Sequence, residues 1–204
     1  MIGIIDYGSG NIQAIATIYN RLNIECKIVN TTNQLADIDK IVLPGVGAFD
    51  AAMERLFKSG MKDKLDAEVL LKKKPVLGIC VGMQILGNGS DEGKLPGLGW
   101  IPGYVHKFDP NTITKKPKFP HMGWNTIEDK KKHSLFSNID TDFGFYFVHS
   151  YYFKCESDEN ILSTTNYGIN FASTIENLNI IGTQFHPEKS HKNGIQLFKN
   201  FAIS

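Results

Sequence analysis

A cysteine at residue 80 has a glycine two positions before it and another two positions after it. The segment reads Leu77-Gly78-Ile79-Cys80-Val81-Gly82-Met83-Gln84, an apolar run followed by a helix-like run. Glycines at these two positions remove side chains that would clash where a strand turns sharply into a helix. Such a turn leaves the sulfur at the end of a strand and near a helix amino terminus, which favours the reactive thiolate. The pattern predicts a nucleophile elbow, and a buried structural cysteine is the alternative.

A thiol nucleophile needs a base, and the base needs a group that orients it. Among the six histidines, His186 differs because it follows an apolar strand over residues 180–185 and precedes Pro187-Glu188. Residues two apart in an extended chain point to the same side, so His186 and Glu188 are predicted to face one partner together. A surface histidine at a strand end is the alternative. The remaining histidines have ordinary strand or loop neighbours: His106, His121, His133, His149 and His191.

Acyl transfer also needs N–H donors for the oxyanion of the tetrahedral intermediate. The amide of Val81, directly after the cysteine, is one predicted donor. The segment Pro44-Gly45-Val46-Gly47 follows another strand, and its glycines can bring a second N–H close; a plain turn is the alternative. Gly8-Ser9-Gly10 hints at phosphate binding but lacks the full Gly-x-Gly-x-x-Gly pattern. No cysteine–histidine spacing matches a zinc site, so no metal is expected.

Strands and helices must position these groups. In the first half, strands are predicted at Ile2–Ile5, Cys26–Val29, 40–43 and 75–79, and helices at 11–22, 48–57, 61–71 and from residue 81. In the second half, short strands are predicted at 103–108, 143–149, 161–165, 170–174 and 180–184, and a helix at 191–201. We therefore expect one α/β domain over residues 1–204, with a central, mostly parallel sheet flanked by helices and a β-rich second half.

Composition limits the classes of function. The 204 residues are 42% hydrophobic and 21% charged, an ordinary balance for one globular domain. The net charge of +1 gives no reason to expect nucleic acid or an anionic membrane surface. No window approaches the ~20 apolar residues of a membrane helix, and the first residues do not look like a signal peptide. The scattered cysteines, Cys26, Cys80 and Cys155, predict a reducing cytoplasm. The lysine runs at 72–74 and 130–132 are expected to be solvated.

The sequence resembles the class I, triad-type glutamine amidotransferases. Gly78-Ile79-Cys80-Val81-Gly82-Met83-Gln84 and Phe185-His186-Pro187-Glu188-Lys189-Ser190 are similar to that family's two signatures, in the same order. More narrowly, further blocks resemble the glutaminase subunits of imidazole glycerol phosphate synthase, from histidine biosynthesis. These blocks are Ile5-Asp6-Tyr7-Gly8-Ser9-Gly10-Asn11, Leu43-Pro44-Gly45-Val46-Gly47-Ala48-Phe49, Gly97-Leu98-Gly99-Trp100, Pro120-His121-Met122-Gly123-Trp124-Asn125 and Tyr146-Phe147-Val148-His149-Ser150-Tyr151.

The resemblance implies a glutaminase without a cofactor, which releases glutamate and ammonia through a γ-glutamyl thioester. It implies a catalytic triad of Cys80, His186 and Glu188. The implied oxyanion hole comprises Val46, Gly47 and Val81, and a reorientation of a peptide in residues 44–47 is one way for it to become competent. The implied binding site for glutamine comprises Gly45, Gln84, Ser150 and Tyr151.

The resemblance also implies a heterodimer. The partner would be a (β/α)8-barrel cyclase subunit that receives the ammonia and makes imidazole glycerol phosphate and AICAR. The implied docking face contains Ser9, Asn11, Trp124, Asn125 and Lys189. Three alternatives stay open: the same glutaminase serving a paralogous barrel that amidates a nucleotide-linked sugar, a subunit that has kept the fold but lost turnover, and a thiol peptidase on a similar sheet.

Overall fold

Strands and helices alternate up to residue 84, and strands dominate afterwards. The computed structural model describes residues 1–114, 116, 118–140 and 142–204. In these residues the strands are β1 (Ile2–Ile5), β2 (Cys26–Val29), β3 (Lys40–Gly45), β4 (Val76–Cys80), β5 (Gly103–Lys107), β6 (His121–Asn125), β7 (Glu128–Asp129), β8 (Phe145–His149), β9 (Tyr151–Cys155), β10 (Ile161–Tyr167), β11 (Ile169–Asn177) and β12 (Ile180–Thr183). The α-helices are α1 (Ile12–Arg21), α2 (Phe49–Lys58), α3 (Lys62–Asp66), α4 (Val81–Gln84) and α5 (His191–Ile203).

An eight-stranded mixed sheet forms the centre of the fold, in the order β2-β1-β3-β4-β12-β11-β10-β7. The first five strands in this order are parallel, and the last three pair in antiparallel fashion. Two antiparallel ribbons, β5-β9 and β6-β8, complete the second half. Because β12 from the second half pairs with β4 from the first, the two halves share one sheet. The expected α/β fold with a β-rich second half is confirmed.

Buried side chains explain why the helices lie against the sheet. Strands β1, β4 and β12 are buried along their whole length, which is typical of parallel strands covered on both faces. Helix α1 buries Ile12, Ile15 and Tyr19 at helical spacing. The ring of Tyr19 contacts that of Phe198 in α5 at a centroid distance of 5.3 Å. The first and last helices therefore pack together on the sheet. No helix of the described residues is long and apolar enough to cross a membrane.

Several element predictions are wrong in detail. The sequence does not predict β6, β7 or β9, because their hydrogen bonds go to distant segments and β6 contains Gly123. The predicted helix over 61–71 is α3 followed by a π-helical turn at Ala67–Leu71. The π turn places the fully buried carboxylate of Glu68 against the ammonium groups of Lys64, Lys72 and Lys74, with N–O distances of 2.8–3.0 Å. The lysine run at 72–74 is therefore not a simply solvated face.

Candidate active site

Cys80 is the last residue of β4, and α4 begins directly after it. Its backbone has φ 54° and ψ −112°, a conformation that L-residues rarely adopt and that is typical of strained functional sites. The flanking glycines permit this turn. A Cβ on Gly78 would lie 2.7 Å from the carbonyl oxygen of Gly82, and a Cβ on Gly82 would lie 1.9 Å from that of Leu43. The local sequence thus forms a sharp strand-to-helix turn with the thiol at its corner.

Three neighbouring parallel strands end at the same edge of the sheet as Cys80. Strand β4 lies between β3 and β12, with Gly45 in register with Cys80 and Thr183 in register with Ile79. The carboxyl ends of parallel strands are where open α/β sheets bind ligands. Beyond this edge lies a cleft of about 530 Å³. Predicted site residues that line it are Asn11, Val46, Gly47, Cys80, Val81, Gln84, Ser150, Tyr151, His186 and Lys189. Gly45 is buried beneath it, where a Cβ would meet the backbone N of Gly82 at 2.5 Å.

His186 and Glu188 form a hydrogen-bonded pair at the end of β12. Nδ1 of His186 lies 2.7 Å from Oε1 of Glu188, and Nδ2 of Asn11 donates to the same oxygen at 2.6 Å. Glu188 lies in the 3-10 turn Pro187–Lys189, which folds its carboxylate back onto the imidazole. The predicted extended backbone, in which His186 and Glu188 face one partner together, is therefore wrong: Glu188 faces His186 itself. Because the carboxylate accepts the proton of Nδ1, the other ring nitrogen, Nε2, is left for the sulfur of Cys80.

The electrostatics of this pair favour a charged imidazole. Burial acts to lower the pKa of His186, but the negative charge of Cys80, the hydrogen bond to Cys80 and the carboxylate of Glu188 raise it to about 10. Burial acts to raise the pKa of Glu188, but the bonds from His186 and Asn11 hold it below its ordinary value. A thiolate beside an imidazolium is the reactive form of a cysteine nucleophile.

The segment expected to supply the oxyanion hole is held by residues that follow β1. The hydroxyl of Ser9 donates to the carbonyl of Val46 at 3.0 Å and accepts from the backbone N–H of Val46 at 2.9 Å. The hydroxyl of Tyr7 donates to the carbonyl of Pro44 at 2.8 Å. In this conformation the N–H of Val46 is therefore engaged with Ser9. The side chain of Ser9 is buried, so it is not an exposed residue that a partner could contact in this conformation.

Glu92, which lines the cleft, and the buried Gln184 beside Cys80 carry functional groups that the sequence pattern does not single out. Glu92 lines the cleft, and its Oε2 accepts the N–H of Phe49, the first residue of α2. Asp50 in turn accepts the backbone N–H groups of Lys94 and Leu95, which fastens the Glu92 loop to α2. Gln184 is buried and its Nε2 lies 3.8 Å from the sulfur of Cys80. Glu92 lies in a glycine-rich loop, where spacing carries no signal. Gln184 lies within an apolar strand run, two residues before His186.

Two of the residues expected on the docking face, Trp124 and Asn125, belong to β6, and Lys189 lies in the 3-10 turn Pro187–Lys189. Trp124 is 43% exposed and contacts the rings of Phe143 and His191, at centroid distances of 4.8 and 5.5 Å. The exposed Lys189 has its ammonium 5.8 Å from the ring centre of Tyr146. Asn125 is partly buried, with its Nδ2 3.1 Å from Nε2 of His121. This aromatic face adjoins the cleft, because Lys189 belongs to both.

A cysteine at a strand-to-helix elbow beside a histidine–glutamate pair on an α/β sheet is the arrangement that thiol-dependent acyl transfer requires. The family model described as glutamine amidotransferase class-I matches residues 3–204, so the chain belongs to the class I glutamine amidotransferases. The chain is 51% identical to the imidazole glycerol phosphate synthase subunit HisH of Bdellovibrio bacteriovorus, and the alignment covers 99% of both chains. It is 46% identical to the protein of the same description from Leptospira borgpetersenii, again over 99% of both. The family resemblance stated from the sequence is confirmed.

Solved structures share the fold at low sequence identity. One described as a glutamine amidotransferase superposes with a TM-score of 0.73 at 17% identity, covering 100% of this chain and 99% of the other. A chain of PurLQS from Thermotoga maritima superposes with a TM-score of 0.72 at 17% identity, covering 98% of this chain and 96% of the other. At this identity the likeness concerns the architecture alone.

Proposed function

We propose that this protein is a glutaminase subunit of imidazole glycerol phosphate synthase that hydrolyses glutamine to glutamate and ammonia for histidine biosynthesis. The observation that carries the proposal is the His186–Glu188 pair at the cleft that Cys80 lines. The names of the curated relatives, at 45–51% identity over nearly the full chain, support this pathway. They favour it over the amidation of a nucleotide-linked sugar. The whole of residues 1–204 serves as one glutamine amidotransferase domain.

The proposed reaction begins with attack of the Cys80 sulfur on the side-chain carbonyl carbon of glutamine. The C–N bond of the tetrahedral intermediate then breaks as Nε2–H of His186 protonates the departing nitrogen, which leaves as ammonia and a γ-glutamyl thioester. Water, deprotonated by the now neutral His186, attacks the thioester. Glutamate leaves and the sulfur regains its negative charge. Glu188 holds Nδ1–H throughout, so the same nitrogen of His186 faces the reacting atoms in both steps.

Two backbone donors are proposed for the oxyanion. The N–H of Val81 follows the nucleophile directly, which is the usual donor position after an elbow. The second donor comes from Val46 or Gly47, and here the N–H of Val46 must first leave Ser9. Gly47 has φ +92° and open space around its Cα, so the adjoining peptide can rotate without a steric clash. We take the Ser9–Val46 bonds to hold a resting state that partner docking releases.

The proposed substrate site uses the polar groups along the cleft. Gln84 presents its Oε1 to the substrate, because its Nε2 already donates to the carbonyl of Tyr151 and to Oε1 of Gln184. Glu92 is the only acidic side chain among the described residues that line the cleft, and its carboxylate would pair with the α-ammonium of glutamine. Gly45 and the backbone at Ser150 and Tyr151 complete the site.

The proposed partner is a (β/α)8-barrel cyclase subunit in a heterodimer, which uses the ammonia to make imidazole glycerol phosphate and AICAR, so that the complex is a lyase-type synthase. The proposed docking face comprises Asn11, Trp124, Asn125 and Lys189, whereas Ser9 is buried in this conformation. We propose a cytoplasmic location, which the three unpaired cysteines fit.

The test is covalent labelling of the complex with an electrophilic glutamine analogue, followed by peptide mass mapping. We expect modification at Cys80 alone. Burial raises the pKa of Cys26, and burial together with Asp158 raises that of Cys155 to about 12, so both are poor nucleophiles at neutral pH. Cys80→Ser should abolish glutamate release, while synthesis from added ammonia by the complex continues. Labelling at another cysteine, or glutamate release by Cys80→Ser, would refute the assignment.

A further inference from the structure

The side chain of Gln184 reaches the reacting sulfur from the side of β12. Gln184 is fully buried, and its Nε2 lies 3.8 Å from Sγ of Cys80. An N–H directed at a thiolate stabilises its negative charge, both when the thiolate attacks and when it leaves the thioester. The question is whether the nitrogen or the oxygen of this amide faces the sulfur.

Hydrogen bonds on the other side of Gln184 decide its orientation. A backbone carbonyl can only accept, so the group of Gln84 that meets the carbonyl of Tyr151 at 3.2 Å must be its NH₂. The second hydrogen of that NH₂ lies toward Gln184 at 3.1 Å. Gln184 must therefore present its oxygen to Gln84 and its nitrogen to Cys80. The orientation follows from donor and acceptor chemistry alone.

The carbonyl of Tyr151 is itself held by a second chain of hydrogen bonds. Nδ1 of His149 lies 2.7 Å from this carbonyl and must donate to it, which makes Nε2 of His149 an acceptor. Nδ1 of His121 lies 2.9 Å from that acceptor and donates to it. Nε2 of His121 then accepts from Nδ2 of Asn125 at 3.1 Å. In this arrangement Nε2 of each histidine accepts a hydrogen bond and Nδ1 of each donates one. Burial, together with the nearby His121 and His186, lowers the pKa of His149 to about 3 although its bond to Tyr151 acts in the opposite direction.

We propose that Gln184 is a further catalytic residue whose side-chain N–H stabilises the Cys80 thiolate, with Gln84, His149 and His121 as positioning residues that orient its amide through the Tyr151 carbonyl. This inference rests on the proposed function for its biological role, but not for its geometry. A continuous series of hydrogen bonds connects Asn125 on the β6–β8 ribbon with the sulfur of Cys80. A displacement of that ribbon would therefore shift the Gln184 amide relative to the sulfur.

The test measures the rate of alkylation of Cys80 by iodoacetamide as a function of pH, with the modified peptide quantified by mass spectrometry. Iodoacetamide does not need the glutamine site, so the rate reports the thiolate fraction. The titratable groups that face the sulfur, His186 at the end of β12 and Tyr7 after β1, stay unchanged in each variant. Gln184→Met removes the N–H and keeps the length of the side chain. We expect the midpoint of its alkylation curve to move upward by about one pH unit, because an N–H bond to a charged group is lost.

Two further variants make the outcome decisive. Gln184→Glu keeps the shape of the side chain but replaces the N–H donor by a carboxylate, so it should move the midpoint upward further. It also replaces Gln184→Met as the test variant if that protein folds poorly. His149→Phe should move the midpoint in the same direction by a smaller amount. It removes the hydrogen bond that holds the Tyr151 carbonyl in position but leaves the Gln184 amide in place. The control is Thr174→Val, since the buried Thr174 hydroxyl has no hydrogen-bond partner among the described residues. It should leave the curve and the melting temperature unchanged.

Failure of this inference and failure of the proposed function are distinguishable. If Gln184→Met and Gln184→Glu give the wild-type curve, the role of Gln184 is refuted even when the wild type hydrolyses glutamine. If the midpoint moves as expected but the wild-type complex releases no glutamate from glutamine, the role of Gln184 stands and the proposed function falls.

Discussion

Glu188 concentrates two hydrogen bonds on one carboxylate oxygen. Its Oε1 accepts from His186 and from Asn11, whereas its buried Oε2 has no hydrogen-bond partner among the described residues. Asn11 lies 177 positions away along the chain, so its part in the site is invisible to any local pattern. Cys80 and His186 could be predicted because glycine flanks and a following Pro-Glu mark them locally. Gln184 and Glu92 could not, because only the folded chain brings the amide of Gln184 to the sulfur of Cys80 and the carboxylate of Glu92 to the cleft.

Replacing Glu188 by glutamine should lower the pKa of His186 from about 10 toward its ordinary value of 6.5, because a neutral amide no longer stabilises the imidazolium. The rate of glutamine hydrolysis should fall by roughly 10³-fold, since His186 loses the group that fixes its tautomer. Titration of the His186 imidazole by ¹⁵N NMR measures the first effect. An unchanged titration curve would remove Glu188 as the orienting group.

The same variant should change the dependence of stability on pH. A raised pKa of His186 stabilises the folded state fully below pH 6.5, and this contribution is lost as the pH rises toward about 10. The lowered pKa of Glu188 stabilises the folded state above pH 4.5, and this stabilisation is lost at more acidic pH. The free energy of unfolding of the wild type relative to Glu188→Gln should therefore be largest between pH 4.5 and 6.5. Urea unfolding in that window and near pH 10 tests the expected decrease.

At the scale of elements, the elbow is the part of the fold that local sequence specifies most directly. The glycines at 78 and 82 are needed by contacts that the turn itself creates, so their spacing predicts the turn. Strand β6 gives no comparable signal. Its backbone hydrogen bonds go to the antiparallel strand β8, and Gly123 interrupts the alternation of side chains along it. Local sequence also fails to predict the length of α4. The helix ends after Gln84, whereas the helix-like run predicts a longer one.

Gly82→Ala should destabilise the elbow strongly, because the new methyl group would lie 1.9 Å from the backbone carbonyl of Leu43 in β3. Overpacking against backbone that cannot move aside costs about 3 kcal/mol. Glutaminase activity should fall with it, since β3 and the corner at Cys80 must shift apart. Gly60→Ala is the matched control: its Cβ meets nothing within 4 Å, and its φ of +68° costs only about 1 kcal/mol. Equal melting temperatures for the two variants would contradict this account.

At the scale of the whole molecule, the site is assembled where both halves of the chain meet. Strand β12 is inserted beside β4, although a hundred residues separate them, and this pairing brings His186 to Cys80. The sequence predicts the parallel sheet from alternating elements, but strand order follows from long-range packing that no local pattern contains. The aromatic face beside the cleft arises in the same way, because Trp124, Phe143 and His191 come from three separate segments.

The position of this aromatic face predicts where a partner binds. Trp124 is partly exposed and packs against the rings of Phe143 and His191, as expected of an interface anchor that loses little conformational freedom on binding. Trp124→Ala should weaken binding of the cognate barrel subunit by about 2 kcal/mol, roughly thirtyfold, in a calorimetric titration. Leu71→Ala is the control, since Leu71 is 80% exposed but precedes the amino end of β4, at the sheet edge opposite the cleft. Equal losses of affinity for both variants, or no loss for Trp124→Ala, would place the docking face elsewhere.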